Sequence, residues 1–151
     1  MHSIGIKDIE IRATEAEMMA NWDAQYTDWT TPKAMLRLLK ISYADSILGP
    51  ATKDFLWKIM EATSTAPKRM KGLLPPGASV AHKTGTSSTN SSGLSPATND
   101  VGVITLPNGK HLAIAVFVTE SYADPATRDL VIAKITKAAY DAFSSSATKH
   151  P

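Results

Sequence analysis

The sequence predicts an α/β chain of the α+β kind, in which an antiparallel sheet follows a helical region and carries a terminal helix on one face. Three observations predict it. After Pro75-Pro76-Gly77 the apolar spacing switches from helical to extended. Pro107-Asn108-Gly109-Lys110 then separates two β-rich runs, which is a strong hairpin signal. Finally, Asp124-Pro125 opens a long segment with apolar residues at helical spacing.

Taken in order, residues 1–12 read as the end of one element followed by a short turn. Gly5 would be a helix C-cap, and Ile4, Ile6, Ile9 and Ile11 would point inward. From Ala13 to Thr31 neither period is sustained, although Trp22, Tyr26 and Trp29 lie there with Glu15, Glu17, Asp23 and Asp28. That composition reads as a long, packed surface loop, and loops of this length inside compact domains are usually functional. Thr30 or Thr31 caps the next helix and Pro32 is its first residue, with Ala34, Met35, Leu38, Leu39 and Ser42 on one face. Gly49-Pro50 breaks the chain, and Pro50 to Ala62 gives a second helix with Phe55, Leu56, Ile59 and Met60 inward and Trp57 packing. Pro67 to Leu74 is a short basic turn of helix carrying Lys68, Arg69 and Lys71.

Ser79 to Thr86 is the first strand of the sheet, and Ser87 to Pro96 a Ser/Gly/Asn-rich loop. Val101 to Leu106 and Leu112 to Val118 are the second and third strands, giving an antiparallel meander. The helix from Asp124-Pro125 runs to about Phe143, with Leu130, Val131, Ile135, Ala138, Ala139 and Phe143 as the side that lies on the sheet. The organisation expected is therefore 1–78 as a loop and helical region, 79–143 as meander and helix, and 144–151 as a tail. No internal repeat is present.

Composition bounds the function classes. At 151 residues and 43% hydrophobic, the chain is long enough for a core, and it contains too few charges to be disordered. A net charge of +2, with no basic run interleaved with aromatics, argues against nucleic acid as a partner. The absence of cysteine excludes disulfides and thiolate metal sites and leaves the redox compartment open. Met1 to Ile6 lacks the basic region and apolar run of a signal peptide, and no stretch of about 18 apolar residues could span a membrane.

The chemistry concentrates in Val80-Ala81-His82-Lys83-Thr84-Gly85-Thr86, followed by Ser87. Lys83 supplies a positive charge, Thr84 and Thr86 can donate to a carboxylate, and Gly85 lets a ligand backbone approach closely. Such a strand edge suits an anionic, amide-like molecule. The plainer alternative is a strand-edge lysine that discourages aggregation.

That strand, together with Ala97-Thr98-Asn99-Asp100-Val101-Gly102-Val103-Ile104-Thr105-Leu106-Pro107-Asn108-Gly109 and Ala115-Val116-Phe117-Val118, resembles the C-terminal half of class A serine β-lactamases, especially their extended-spectrum branch. Ala13-Thr14-Glu15-Ala16-Glu17-Met18, with Gln25-Tyr26 and Trp29, is similar to that family's Ω-loop. Arg69-Met70-Lys71-Gly72-Leu73-Leu74-Pro75 is similar to the turn before its active-site strand, so the resemblance runs over nearly the whole chain. It implies the β-lactamase/transpeptidase-like fold, incomplete without an N-terminal half, with an open sheet edge.

The resemblance also implies roles. Lys83 matches the electropositive strand lysine, and Thr84, Gly85, Thr86 and Ser87 fall on the substrate-binding strand. The Thr86 N–H matches an oxyanion donor, and Glu15 matches the base that activates the deacylating water. The substrates implied are β-lactam antibiotics, penicillins and cephalosporins, with no cofactor and no metal. The partner implied is the N-terminal half of the same enzyme or a swapped copy, and the location is periplasmic or secreted.

Three departures from the family pattern follow. The nucleophile motif Ser-x-x-Lys and the motif Ser-Asp-Asn do not occur in a usable place; Ser146-Ala147-Thr148-Lys149 fits the first by letters but lies in the terminal tail. Met19 stands four residues after Glu15, where many members place a water-holding asparagine. Ala13 stands where the arginine partner of Asp28 is expected, so that either the loop folds differently or water positioning is weakened. Two alternatives stay open beside hydrolysis: a penicillin-binding or sensor relative that acylates without turnover and does not need Glu15, and a non-catalytic interaction module, of which a large exposed apolar patch would be the sign.

Overall fold

The computed structural model describes residues 2–44 and 47–145. The chain starts with a 3-10 turn, His2–Ile4, after which Gly5 takes φ +76°, the left-handed conformation that a residue with a Cβ avoids. Two short strands follow, β1 (Ile9–Glu10) and β2 (Trp29–Thr30), paired antiparallel with Ile9 opposite Thr30. They close the base of the intervening segment. That segment, expected as a long, packed surface loop, contains helical structure its sequence period did not show: α1 (Glu15–Ala20) and a 3-10 turn, Trp22–Thr27. The cause is local, because Thr14 and Glu17 form a capping box that satisfies donors at the start of α1.

Two helices come next, α2 (Pro32–Ala44) and α3 (Pro50–Glu61). Thr31 is the cap of α2, its Oγ1 accepting from the Ala34 N–H at 3.1 Å. Ala34, Leu39 and Ser42 are buried as the spacing predicts. In α3 the expectation fails for two residues: Phe55 and Ile59 are exposed, while Trp57 is buried. The indole packs edge-on against Tyr43, with ring centroids 4.7 Å apart, and donates to the Ser42 carbonyl at 3.3 Å. One polar tip and one large ring thus fix the helix by Trp57 rather than by its aliphatic stripe. Residues 67–74 form consecutive turns instead of a helix.

The sheet has strands β3 (Val80–Thr86), β4 (Ser95–Thr105) and β5 (His111–Ser121) in the order β3-β4-β5, both pairings antiparallel. The meander is as expected, but β4 starts six residues earlier than its apolar run and β5 extends to Ser121. Pairing explains this: Asn99 and Asp100 are poor strand formers alone, yet with Thr98 they complete the ladder opposite Thr86, Gly85 and Thr84.

Each face of the sheet has its own cover. Val80, Ile104, Ile114 and Val116 pack with Met70, Leu106 and with Ile132 and Tyr140 of α4 (Pro125–Ser145). On the opposite face Ala81 and Val103 pack with Leu39 and Trp57. A third cluster joins Ile6 and Ile9 to Ala34.

The sheet-facing side of α4 is not the one its hydropathy suggested. Arg128, Ile132, Ala133, Thr136 and Tyr140 are buried, whereas Leu130, Val131, Ile135, Ala138 and Phe143 are exposed and Ala139 is half-buried. Arg128 is inside with its Nη1 donating to the Ala123 carbonyl at 2.6 Å, while its buried Nε has no partner among the described residues. Ser146-Ala147-Thr148-Lys149 lies outside the described residues. None of the described helices is long and apolar enough to cross a membrane.

Candidate active site

The end of β3 and the segment between β1 and β2 face each other across a groove of about 790 Å³. Glu15, Met19 and Gln25 line it from one side, and Gly85, Thr86, Ser87 and Asn99 from the other. The structure therefore brings together four of the residues singled out from the sequence, Glu15, Gly85, Thr86 and Ser87. Lys83 and Thr84 are not among the lining residues. The Lys83 ammonium donates to the Thr84 carbonyl, and Thr84 Oγ1 shares a hydrogen bond with Thr65 Oγ1 at 2.8 Å.

Register gives the β3 edge its chemistry. Ser87 N–H donates to the Ala97 carbonyl at 2.9 Å and Thr105 N–H to the Ser79 carbonyl at 3.0 Å, so the odd-numbered residues of β3 are those bonded to β4. In an antiparallel ladder the alternate residues point their amides the other way. The N–H and C=O of Thr86, Thr84 and His82 thus face away from β4, at the sheet edge, and the His82 carbonyl accepts from Thr63 Oγ1 at 2.9 Å. An amide donor at Thr86 facing off an edge is the geometry an oxyanion needs. Gly85 has only the Asn99 Cβ near the position a Cβ would take, at 3.9 Å, so the backbone stays approachable.

Glu15 occupies the first turn of α1, where the helix N-terminus favours negative charge. The neighbouring Glu17 is held by the capping box, its Oε2 accepting from Thr14 N–H at 2.7 Å and Thr14 Oγ1 at 2.8 Å. Those bonds lower the Glu17 carboxyl below its usual value. The two acids are thereby separated in role, Glu17 structural and Glu15 facing the groove. Met19 is 88% exposed at the groove's margin and offers it only its thioether.

At the base of the segment, Asp28 replaces a side-chain partner with backbone. Its Oδ1 accepts from the N–H groups of Arg12 at 2.7 Å and Ala13 at 2.8 Å. Ala13 therefore supplies an amide where the family resemblance suggested a guanidinium, and Asp28 closes the loop on backbone N–H groups, that of Arg12 included. At its far side Tyr26 donates to Glu120 Oε1 at 2.9 Å, and this raises the Tyr26 hydroxyl above its usual range.

Arg69 is the residue whose role sequence reasoning missed, having placed it only in a short basic turn of helix before the strand. It is 5% exposed. Its Nη1 donates to the carbonyls of Gly85 at 3.0 Å and Asn99 at 3.1 Å, its Nη2 to Thr86 Oγ1 at 2.8 Å, and its Nε to Asp129 Oδ1 at 2.7 Å. A guanidinium fork thus braces the groove end of β3 and places fixed positive charge beside Thr86. The one sequence signal was position, since Arg69 precedes the turn that feeds β3. Among the described residues no cluster of His, Asp and Glu is arranged to hold a metal ion.

Comparison with known proteins follows the same lines. Residues 1–143 match the Beta-lactamase enzyme family. The chain is 46% identical over 138 residues to the β-lactamase VEB-1 of Pseudomonas aeruginosa, which covers 90% of this chain and 46% of that protein. It is 43% identical over 140 residues to the extended-spectrum β-lactamase PER-1 of the same species, covering 93% of this chain and 45% of that protein. Among solved structures, TLA-1 extended-spectrum β-lactamase superposes with a TM-score of 0.93 at 50% identity, covering 95% of this chain and 52% of that one. The chain spans about half the length of the curated relatives it matches.

Proposed function

The chain belongs to the β-lactamase enzyme family, and from that membership we propose that it forms the C-terminal half of a class A serine enzyme that hydrolyses β-lactams. The observation that carries this reading is the shared groove, with Glu15 on one wall and the outward-facing Thr86 amide on the other.

In this reading the substrate's carboxylate is held at the strand end by the charges of Lys83 and Arg69 and by the hydroxyls of Thr84, Thr86 and Ser87. The substrate's backbone passes over Gly85. A serine of the N-terminal half attacks the β-lactam carbonyl, and the Thr86 N–H donates to the oxyanion that develops. The ring C–N bond then breaks and the nitrogen takes up a proton, leaving an acyl-enzyme. Glu15 next removes a proton from a water in the groove. That water adds to the acyl carbonyl, the serine oxygen leaves with a proton, and the ring-opened acid is released. A base lining the groove favours turnover over the permanent acylation of a sensor.

The N-terminal half would dock on apolar surface that this chain leaves exposed: Phe55 and Ile59 on α3, and Leu130, Val131, Ile135 and Phe143 on α4. It would also pair with the outer edge of β5, which has no neighbour in the sheet among the described residues. The working location is the periplasm or the exterior, where β-lactams are met.

The test joins this chain to an N-terminal half bearing Ser-x-x-Lys and assays a chromogenic cephalosporin. Hydrolysis is expected from the joined protein and none from the chain alone. Glu15→Gln should accumulate an acyl adduct visible by mass spectrometry, and Lys83→Ala should lose most acylation. A joined protein that forms no adduct removes the enzymatic reading, and a Glu15→Gln variant that turns over like the parent removes the base assignment.

A further inference from the structure

His82 and Asp100 are both wholly buried, in neighbouring strands, and the steps above use neither. Asp100 is the β4 residue opposite Thr84, and its two carboxylate oxygens lie 2.9 and 3.0 Å from His82 Nδ1. Oδ2 also accepts the backbone N–H of Met70 at 3.0 Å. A carboxylate removed from water costs stability unless it is hydrogen-bonded, and here each oxygen has a partner, the His82 ring at Oδ1 and the Met70 backbone amide at Oδ2. An apolar side chain at position 100 would fill the same space without that cost, so the acid's distinguishing property is the amide it holds.

That amide belongs to the residue next to Arg69. The peptide unit between them is planar and rigid, so fixing the Met70 N–H fixes the plane that carries the Arg69 Cα and leaves only the ψ rotation of Arg69 between that plane and its side chain. Arg69 is then held at both ends: its backbone through Asp100, and its guanidinium by Asp129, Gly85, Asn99 and Thr86. Four of the five guanidinium hydrogens are used in those bonds, and the fifth is on Nη2, the atom 2.8 Å from Thr86 Oγ1. A small shift of the Met70 amide would carry Nη2 away from the strand end.

We propose that the buried Asp100–His82 pair is a positioning device that seats Arg69 against the groove end of β3, and thereby sets the preference of the site for anionic substrates. This rests on the reading of that strand end as the substrate-carboxylate anchor. Asp100 acts through Arg69 and touches no substrate itself. His82 orients the carboxylate by bonding it through Nδ1. The tether needs an acceptor rather than a charge, so asparagine, whose carbonyl can accept from Met70 and whose amide can donate to a neutral His82 Nδ1, restores it.

Two measurements test the proposal. Amide hydrogen exchange on the 151-residue chain reads the tether directly: the Met70 N–H should be protected in the parent and in Asp100→Asn, and should lose protection in Asp100→Ala. Steady-state kinetics on the chain joined to an N-terminal half read the consequence, using one cephalosporin as its free carboxylate and as its methyl ester. Misplacing a charge-assisted contact should lower kcat/KM for the carboxylate about tenfold in Asp100→Ala, with the ester changed less than about twofold. Asp100→Asn should recover most of the carboxylate activity.

Val116→Ala, a buried neighbour opposite Asp100 on β5, serves as the control for plain destabilisation and should lower both substrates alike. Equal loss on carboxylate and ester in Asp100→Ala overturns the proposal, as does unchanged Met70 protection. A joined parent inactive on both substrates removes the enzymatic reading instead, and the exchange result still decides whether Asp100 holds the turn.

Discussion

Arg69 is buried although it carries a full charge, and its partners explain how. A lysine could not reproduce them, because only a planar fork reaches two carbonyls, a hydroxyl and a carboxylate at once. The exposed acids work differently. Glu17 at α1 and Asp124 at α4 are each lowered from their ordinary values by bonds to a nearby threonine, Thr14 and Thr127 respectively. A carboxylate with a depressed folded value adds stability above its unfolded value, and that stability is lost as pH falls through the folded one. Both helix starts should therefore hold at neutral pH and fray in acid, beginning below the ordinary values of 4.5 for Glu17 and 3.8 for Asp124. Amide exchange at Glu17 and Thr127, followed from pH 7 downward, should show the loss; Glu17→Gln should remove the acid dependence at α1, whereas Thr14→Ala should only weaken it, because the Thr14 backbone N–H still donates to the carboxylate.

Among the elements, the β3–β4 ladder has the least tolerance. A Cβ at Gly102 would lie 2.3 Å from the Ala81 carbonyl and 2.8 Å from the His82 Cβ, so β3 would have to move away from β4. Because His82, Lys83 and Thr86 all belong to that strand, the displacement would reach the groove. Gly102→Ala is expected to cost about 3 kcal/mol in a denaturant titration, at the upper end of overpacking effects. In the joined enzyme it should also depress hydrolysis. The segment holding Glu15 shows the opposite arrangement, with closure distributed over the β1–β2 pair, the Asp28 carboxylate and the Tyr26–Glu120 bond. Its helix was missed from the sequence: Thr14-x-x-Glu17 has the capping-box pattern, but six residues carry too short a period to register against a polar background.

For the whole molecule, the decisive feature is apolar surface with no cover among the described residues, on α3 and on the outer side of α4. Patches of this kind mark interaction sites or aggregation hazards. Adding a separately expressed N-terminal half should give a one-to-one complex by sizing, with higher thermal stability and reduced binding of a hydrophobic dye. Dye binding unchanged in the complex would place the partner elsewhere. The same surface explains why the sequence misread α4: Leu130, Val131 and Ile135 form a genuine apolar stripe, but the sheet takes the other side of the helix.

The sequence by itself determined what depends on neighbours along the chain: the meander and its hairpin, a threonine cap and the Pro32 start of α2, and the lysine strand with its glycine. It also carried the family resemblance, because those residues lie in contiguous runs. Only the tertiary structure decided which side of α4 is buried, that Glu15 faces Thr86 across a groove, and that Arg69 and Asp100 brace the strand end. Those outcomes join groups far apart in sequence, 30 residues for Asp100 and Met70 and 60 for Arg69 and Asp129, and a buried charge is legible only once its partners are in place.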